Sequence, residues 1–358
     1  MKKTVKFTGV LIVILILTAG PVFSQQATTL EDLRGGVETF SQAMAGSLPF
    51  NASIGLNWSD AYIGQLLSFP PHLGIGLTYG ATTMDVTALN GMLDLLGADE
   101  FEVDGGLAKL IPAEIPGTPL PGYAAEARIG GLFFPFDIGV KYFGSIIPAF
   151  NDVNSILGNF GLSLDMDYEM FGVDFRYPLI NPKSFPFKLS IGLGYTNLKG
   201  GINTSIASPL NELRFGEGDE FFITLDDPDF RLEWSSNVFE FKMQMSMPLF
   251  IITPYLGAGI NYSRTKAGYR IASGYNVDTN DPDTLAGLDE LGVSTTNGVS
   301  QIISNDNWNV RAFGGVSLNL FILKFDITAM YNLNLKSINS EDLMKGQFGI
   351  TAGFRIQL

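Results

Sequence analysis

Hydrophobic and polar residues alternate along most of the chain beyond residue 70. This pattern predicts β-strands with one apolar and one polar face. The alternating segments are 73–79, 123–133, 136–142, 171–177, 187–195, 239–247, 256–262, 308–320, 325–335 and 348–358. The longer ones reach about 10–13 residues, which suits a tilted strand that crosses a bilayer, whereas strands of soluble proteins average nearer 5–6.

The connections between these segments alternate in length. The short ones are 134–135, 178–186, 248–254 and 321–324, and the longer ones are 85–121, 147–164, 199–229, 264–307 and 336–346. Outer-membrane barrels have short periplasmic turns and long outer loops. Aromatic residues near strand ends are typical of their interfacial girdles. We therefore predict an all-β fold, an antiparallel transmembrane β-barrel of about 12–14 strands, with one further hairpin inside 202–229.

The region before residue 70 leaves two arrangements open. Residues 52–58 alternate like a strand, but a single-chain barrel normally has an even number of strands. Either residues 25–47 include one more strand, or this segment and part of 48–62 form an N-terminal hatch in the lumen. We divide the chain into a signal peptide (1–24), an N-terminal segment (25–47) and the barrel (48–358).

The two ends of the chain predict its compartment. Three lysines precede an apolar core at 9–17, and Val22–Ser24 supplies small residues at a cleavage site, as in secretory signal peptides. The last strand, Gln347–Leu358, resembles the C-terminal strand by which the barrel-insertion machinery recognises outer-membrane barrels. We expect a multi-pass barrel in the cell outer membrane, in contact with its lipid, after signal cleavage near Ser24.

Composition excludes several functional classes. A formal charge of −14 disfavours nucleic acid as a partner. The chain has no cysteine, and its one histidine, His72, lies in a predicted periplasmic turn, so a Ser-His-Asp arrangement is not expected. The acids at 278–283 lack the glycine and closing glutamate of the twelve-residue calcium loop. We predict no enzyme activity, no metal and no cofactor.

Two sets of residues are candidates for a site. Charged residues on the inner face of the strands are the lumen candidates: Arg128, Lys141, Asp174, Arg176, Glu240, Lys242 and Arg311. They either line a pathway or pair across neighbouring strands. Apolar residues in the long loops are candidates for a ligand groove, unless the loops pack on each other: Leu89, Met92, Leu93, Leu96, Phe101, Leu285 and Leu288.

Three runs carry a family resemblance: Gly35–Phe40, Ser47–Phe50 and Gly55–Gly64. They resemble the N-terminal region of spirochaete outer-membrane proteins grouped with long-chain fatty-acid transporters of the FadL type. The resemblance implies a 14-stranded barrel, a hatch in the lumen and an apolar groove built by loop helices. It also implies diffusion of hydrophobic compounds as the activity.

The expected function is therefore uptake of a hydrophobic small molecule, such as a long-chain fatty acid, across the outer membrane. Two alternatives stay open. A general porin-like diffusion channel would have an open lumen, and a surface barrel acting as an adhesin or antigen would display its loops.

Overall fold

The computed structural model describes residues 30–84, 118–144, 164–181, 187–205, 212–215, 221–225, 229–278, 296–335 and 346–358. One helix, α1 (Leu30–Asn51), precedes twelve strands within these ranges. The strands are β1 (Leu73–Met84), β2 (Thr118–Gly130), β3 (Asp137–Phe143), β4 (Leu164–Ile180), β5 (Lys188–Ser205), β6 (Glu212–Phe215), β7 (Phe221–Leu225), β8 (Asp229–Ser246), β9 (Ile252–Asp278), β10 (Thr296–Leu320), β11 (Leu323–Asn334) and β12 (Gln347–Gln357).

Ten strands close the barrel. Each pairs antiparallel with its neighbours, and β1 pairs with β12, which joins the two ends of the sheet. Strands β6 and β7 form a short hairpin on the far end of β9 and take no part in the closure. The predicted fold class is confirmed. The described barrel wall has ten strands, and a total of twelve is reached only with this hairpin, which lies where the sequence predicted one.

The outer surface of the barrel is apolar in a continuous belt. Large hydrophobic side chains point outward from neighbouring strands, among them Ile75, Leu77, Val140, Phe175, Leu193, Phe241, Met243, Leu256, Ile260, Val316, Ile327 and Phe354. Charged side chains of the same strands point into the lumen and are buried. A closed barrel satisfies its backbone hydrogen bonds without water, so this belt can face hydrocarbon. Within the described ranges, no helix is long and apolar enough to span a bilayer.

Residues 52–58, whose alternation resembles that of a strand, do not form one. Residues 52–63 form an irregular segment inside the lumen, with Gly55 and Leu56 at φ of 88° and 60°. Wall surrounds the segment on all sides, so its apolar and polar residues are buried alike. The alternation there does not reflect one buried face. Of the two arrangements left open, the lumenal hatch is the one observed, and the wall begins at β1.

The connection predicted at 264–307 is shorter in the structure, because strands extend into it from both sides. Strand β9 continues to Asp278 and β10 begins at Thr296. Beyond the belt, their outer face carries exposed polar residues such as Arg264 and Asp306, while the inner face carries small polar ones such as Ser263. The outer face is polar here and the inner face mixes small polar residues with Ala267 and Tyr269, so the apolar-outward alternation of the belt disappears although the strands continue.

Candidate functional site

The N-terminal segment fills the lumen, and we call residues 38–66 the plug. The short turns lie at the end of the barrel that holds the C-terminus, which makes this the periplasmic end. Glu38 accepts a 3.2 Å hydrogen bond from Gln301 in the extracellular half of β10. Leu66, at the other end of the plug, donates a 2.9 Å backbone hydrogen bond to Gly131 in a periplasmic turn. The plug thus runs the length of the barrel.

Helix α1 occupies the extracellular half of the lumen, where an apolar cluster of the wall faces it together with small polar residues such as Ser263. Its side chains Phe40, Met44 and Leu48 are buried in one cluster with inward-facing residues of the wall. The wall members include Met84, Phe143, Met170, Leu198, Leu232, Trp234, Val238 and Tyr269. Burial of apolar area stabilises the helix there, at about 25 cal/mol for each Å² removed from water. Without the helix, this compartment would be a vestibule lined by apolar side chains.

The segment after the helix lies in the periplasmic half of the lumen and has no regular secondary structure. Side chains of the wall form the hydrogen bonds with its backbone. Lys141 donates to the carbonyls of Ala52 and Ile54 at 2.6 and 2.8 Å. Arg176 donates to the carbonyl of Asp60 at 2.6 Å. Buried backbone groups must be paired to avoid a large desolvation cost. These inward cations therefore specify the path of an irregular segment.

A charged network in the wall supports these contacts. Asp137 pairs with Arg128 and Arg176 at 2.5 and 2.8 Å, and Asp174 pairs with Arg128 and Lys242 at 2.6 and 3.0 Å. All five side chains are buried. Buried charges are tolerated when they are paired and hydrogen-bonded, and removing one partner leaves an uncompensated charge. The network is thus a fixed cross-strand structure on β2, β3, β4 and β8.

Trp58 is the centre of the plug's polar half. Two guanidinium groups lie over its ring, that of Arg355 4.9 Å and that of Arg128 5.5 Å from a ring centroid. Its indole N–H donates a 2.6 Å hydrogen bond to Glu126, whose same oxygen accepts the backbone N–H of Leu56 at 2.8 Å. Cation–π contacts to a desolvated tryptophan contribute about 2 kcal/mol each.

Asp60 anchors the plug near the periplasmic end. Its carboxylate pairs with Lys324 at 2.6 Å and with Arg355 at 3.2 Å. Burial alone would raise the pKa of this carboxyl, but Lys324 and Arg355 outweigh burial and hold the pKa below its usual range. Asp60 is therefore ionised at any physiological pH. Arg355 also pairs with Asp326 on the neighbouring strand, which ties the anchor to the last two strands.

Little space is left between plug and wall. Two lumenal cavities among the described residues measure about 10 and 20 Å³, which is less than or about the room for one water molecule. The second lies where the two halves of the lumen meet, beside Val238, Lys141 and Lys242. The predicted open lumen of a porin-like channel is not the state of this structure.

The structure places all seven lumen candidates on the inner face of the wall. Six are buried, and Glu240 is half-buried and pairs with Arg311 at 2.5 Å. Lys141 and Arg176 bind the plug, while Asp174 pairs within the wall. The seven ligand-groove candidates, at 89–101 and 285–288, lie outside the described residues. No group of histidine or acidic residues suited to a metal occurs in the ranges that the structure describes.

Sequence reasoning missed the plug's own contact residues, Trp58 and Asp60, and their partner Arg355. Arg355 carried a signal, because it lies on the polar face of the last strand. Trp58 ends the alternating run 52–58, and no periodic pattern distinguishes a tryptophan in a lumenal segment from one in a girdle.

Comparison with known proteins gives a family and a set of distant structural neighbours. A model of a family of unknown function, DUF6588, matches residues 78–339. No curated protein matches the chain. The FadL-type resemblance of the N-terminal runs finds no support in a matching family model, and those runs precede the matched residues.

The structural neighbours are outer-membrane barrels, transporters among them. The outer membrane protease OmpT from Escherichia coli is 9% identical over 81% of this chain and 97% of that one, with a TM-score of 0.36. The translocator domain of the autotransporter NalP from Neisseria meningitidis is 10% identical over 93% of this chain and 100% of that one, with a TM-score of 0.34. The toluene transporter TbuX from Ralstonia pickettii is 11% identical over 80% of this chain and 89% of that one, with a TM-score of 0.24. Likenesses this distant carry no information on activity.

Proposed function

We propose that this chain, which belongs to the DUF6588 family of unknown function, takes up hydrophobic compounds across the outer membrane through a barrel gated by its own N-terminal plug. Long-chain fatty acids are the substrate class we propose first. The observation that carries the proposal is the division of the lumen into an apolar extracellular compartment and a charged periplasmic one.

The apolar compartment supports a hydrophobic substrate. A water-filled porin has a polar interior, whereas here Leu198, Leu232 and Trp234 point into the lumen and are buried against the plug helix. A compound that replaced the helix would meet the same apolar surface. Such a site discriminates by apolar area, which favours long alkyl or aromatic molecules over sugars and ions.

The plug's contacts support gating rather than permanent closure. Most of helix α1 is held by non-directional apolar packing, which a hydrophobic ligand can replace at little net cost. The helix also has hydrogen bonds to the wall, among them Glu38 with Gln301 and Asn51 with Thr82. The segment 52–63 is held by directional bonds to buried charges, which a hydrophobic ligand cannot replace. We infer that the helix moves first and that the polar segment opens second.

Surface display is a second candidate, favoured by strand length. Strands β9 and β10 have 27 and 25 residues, whereas β11 and β12 have 12 and 11. About 10 residues suffice for a tilted strand to cross the bilayer. The excess carries the wall well beyond the belt on one side, where it could present loops to a partner.

Quenching of tryptophan by a brominated fatty acid tests the transporter proposal. Trp234 lines the apolar compartment, whereas Trp308 lies on the outer belt and is 54% exposed. We expect saturable quenching of the purified protein that Trp234→Phe removes and Trp308→Phe retains. Non-saturable quenching that only Trp308→Phe reduces would mean partition into the surrounding lipid or detergent and would contradict the proposal.

A further inference from the structure

The outer face of the barrel changes character just beyond the belt. Register pairs Tyr195 with Phe239, Phe239 with Tyr262, and Tyr262 with Trp308, so four aromatic residues form one row across β5, β8, β9 and β10. The rings of the first and the last pair are in contact, with centroids 4.9 Å and 5.1 Å apart. Aromatic rows of this kind mark the membrane–water interface.

A groove of about 460 Å³ lies in the wall above this row. Its central row, by register, is Gly201, Glu233, Gly268 and Ile302. The two glycines leave the backbone bare on either side of Glu233, which makes the surface concave. Lys266 lines the groove four residues beyond Tyr262, about 13 Å along the strand and less along the membrane normal because the strands tilt. The groove therefore faces the headgroup level of the outer leaflet.

Cations on β8 and β9 face this level. Register sets Arg231 directly opposite Arg270, and both are exposed on the outer face. Like charges directly opposite each other across two strands are unfavourable, and Glu233, which pairs with Arg231, compensates only one of the two. Lys266 follows on the same face of β9. Among the residues that the structure describes, neither Lys266 nor Arg270 has an ion-pair partner.

The described acidic residues of the groove do not form ion pairs with Lys266 or Arg270. Glu169 is paired with Lys199 at 2.9 Å, and Glu233 is paired with Arg231. Asp167 lies on β4, three strands from β9 and thus about 14 Å away at the usual strand spacing. The β9 side of the groove consequently has an excess of positive charge on a protein whose formal charge is −14.

We propose that this groove binds the phosphorylated headgroup of an outer-leaflet glycolipid. Arg231, Arg270 and Lys266 hold its phosphate groups, since guanidinium groups bind phosphate in a bidentate manner and lysine adds a point charge. Ile302, 74% exposed among polar neighbours, contacts the apolar part of the lipid or sugar. The site is distinct from the plugged lumen and does not depend on the transport proposal.

Lipid counting by native mass spectrometry tests this inference. The full-length protein from the outer membrane is placed in phosphatidylcholine nanodiscs and titrated with a diphosphorylated glucosamine lipid or its dephosphorylated form. We expect one phosphorylated lipid to bind, and Lys266→Gln/Arg270→Gln to weaken that binding about tenfold. Arg270→Gln alone is compared with the matched control Arg264→Gln, which removes a charge already paired with Asp306 and should change affinity less than about threefold.

Three outcomes would overturn the inference. The first is equal loss in Arg270→Gln and in its control Arg264→Gln, which would mean diffuse charge attraction. The second is equal binding of the dephosphorylated lipid. The third is complete displacement by inorganic phosphate at low concentration, which would make the site one for free anions instead of a lipid. Thermal melting of each variant by circular dichroism ensures that loss of binding is not loss of the barrel.

Discussion

The indole N–H of Trp58 donates a 2.6 Å hydrogen bond to the carboxylate of Glu126 on β2. The same oxygen accepts the backbone N–H of Leu56. One wall residue thus satisfies two buried donors of the plug, and the bond links the irregular segment to a strand that is fixed by the barrel.

Replacing Glu126 should loosen the plug without opening the wall. Glu126→Ala leaves both buried donors without an acceptor and should destabilise the seated plug by about 2–4 kcal/mol. Single-channel recording in a planar bilayer should show frequent openings in Glu126→Ala and few in Glu126→Gln, which keeps one acceptor oxygen. If both variants stayed as closed as the unmodified protein, the bond would not contribute to closure.

Acid should release the Asp60 anchor only far below neutral pH. Because the folded pKa of Asp60 is depressed, its contribution is fully present above the ordinary value of about 4 and is lost as pH falls through the folded pKa. We expect conductance to be constant from pH 7 to about pH 4 and Asp60→Asn to raise it across that whole interval. A marked rise of conductance in the unmodified protein between pH 6 and about pH 5 would contradict this assignment of the anchor.

Two inward glycines provide a matched pair for testing how closely the plug fits. A Cβ on Gly74 would lie 2.7 Å from the ring of Trp58, whereas one on Gly194 would meet its nearest neighbour at an ordinary 3.6 Å. Gly74→Ala should therefore displace Trp58 and cost about 1–3 kcal/mol, and Gly194→Ala should cost less. Blue-shifted tryptophan emission reports seated Trp58, and equal emission from the two variants would argue against the close fit.

The two ends of the plug should be accessible from opposite sides of the membrane. Thr39 is exposed near the extracellular end and Ser68 near the periplasmic end. Since the chain has no cysteine, single replacements can be labelled without background. A membrane-impermeant maleimide should label Thr39→Cys on intact cells and Ser68→Cys only after the outer membrane is permeabilised. The reverse pattern would invert the orientation of the barrel.

Residue patterns predicted the barrel wall well because the environment of each wall residue follows from its position along its own strand. In a closed wall, every second residue faces lipid, so the parity of a charge along a strand assigns it to the lumen, as it did for Arg128, Lys141 and Arg311. Parity left open whether these charges line a pathway or pair with each other. Arg128 pairs with Asp137 on the neighbouring strand, whereas Lys141 donates to carbonyls of the plug.

The plug and the strand extensions could not be predicted in this way. Leu56 and Trp58 are buried by contacts with strands far away in the chain, so their burial has no period. The polar parts of β9 and β10 have water on one side and small polar residues on the other, so Arg264 and Ser263 give no contrast between faces. In both cases the tertiary environment, not the local sequence, decides which residues are buried.

A reversible cross-link between plug and wall tests the central claim most directly. The side chains of Asn51, at the end of α1, and Thr82, on β1, are 3.1 Å apart at their hydrogen-bonding atoms. We expect Asn51→Cys/Thr82→Cys to block uptake of a fluorescent fatty acid into proteoliposomes when oxidised and to restore it when reduced. Each single replacement should transport in both redox states. Unchanged uptake by the fully oxidised double variant would mean that the plug does not move, and would contradict a barrel gated by its N-terminal segment.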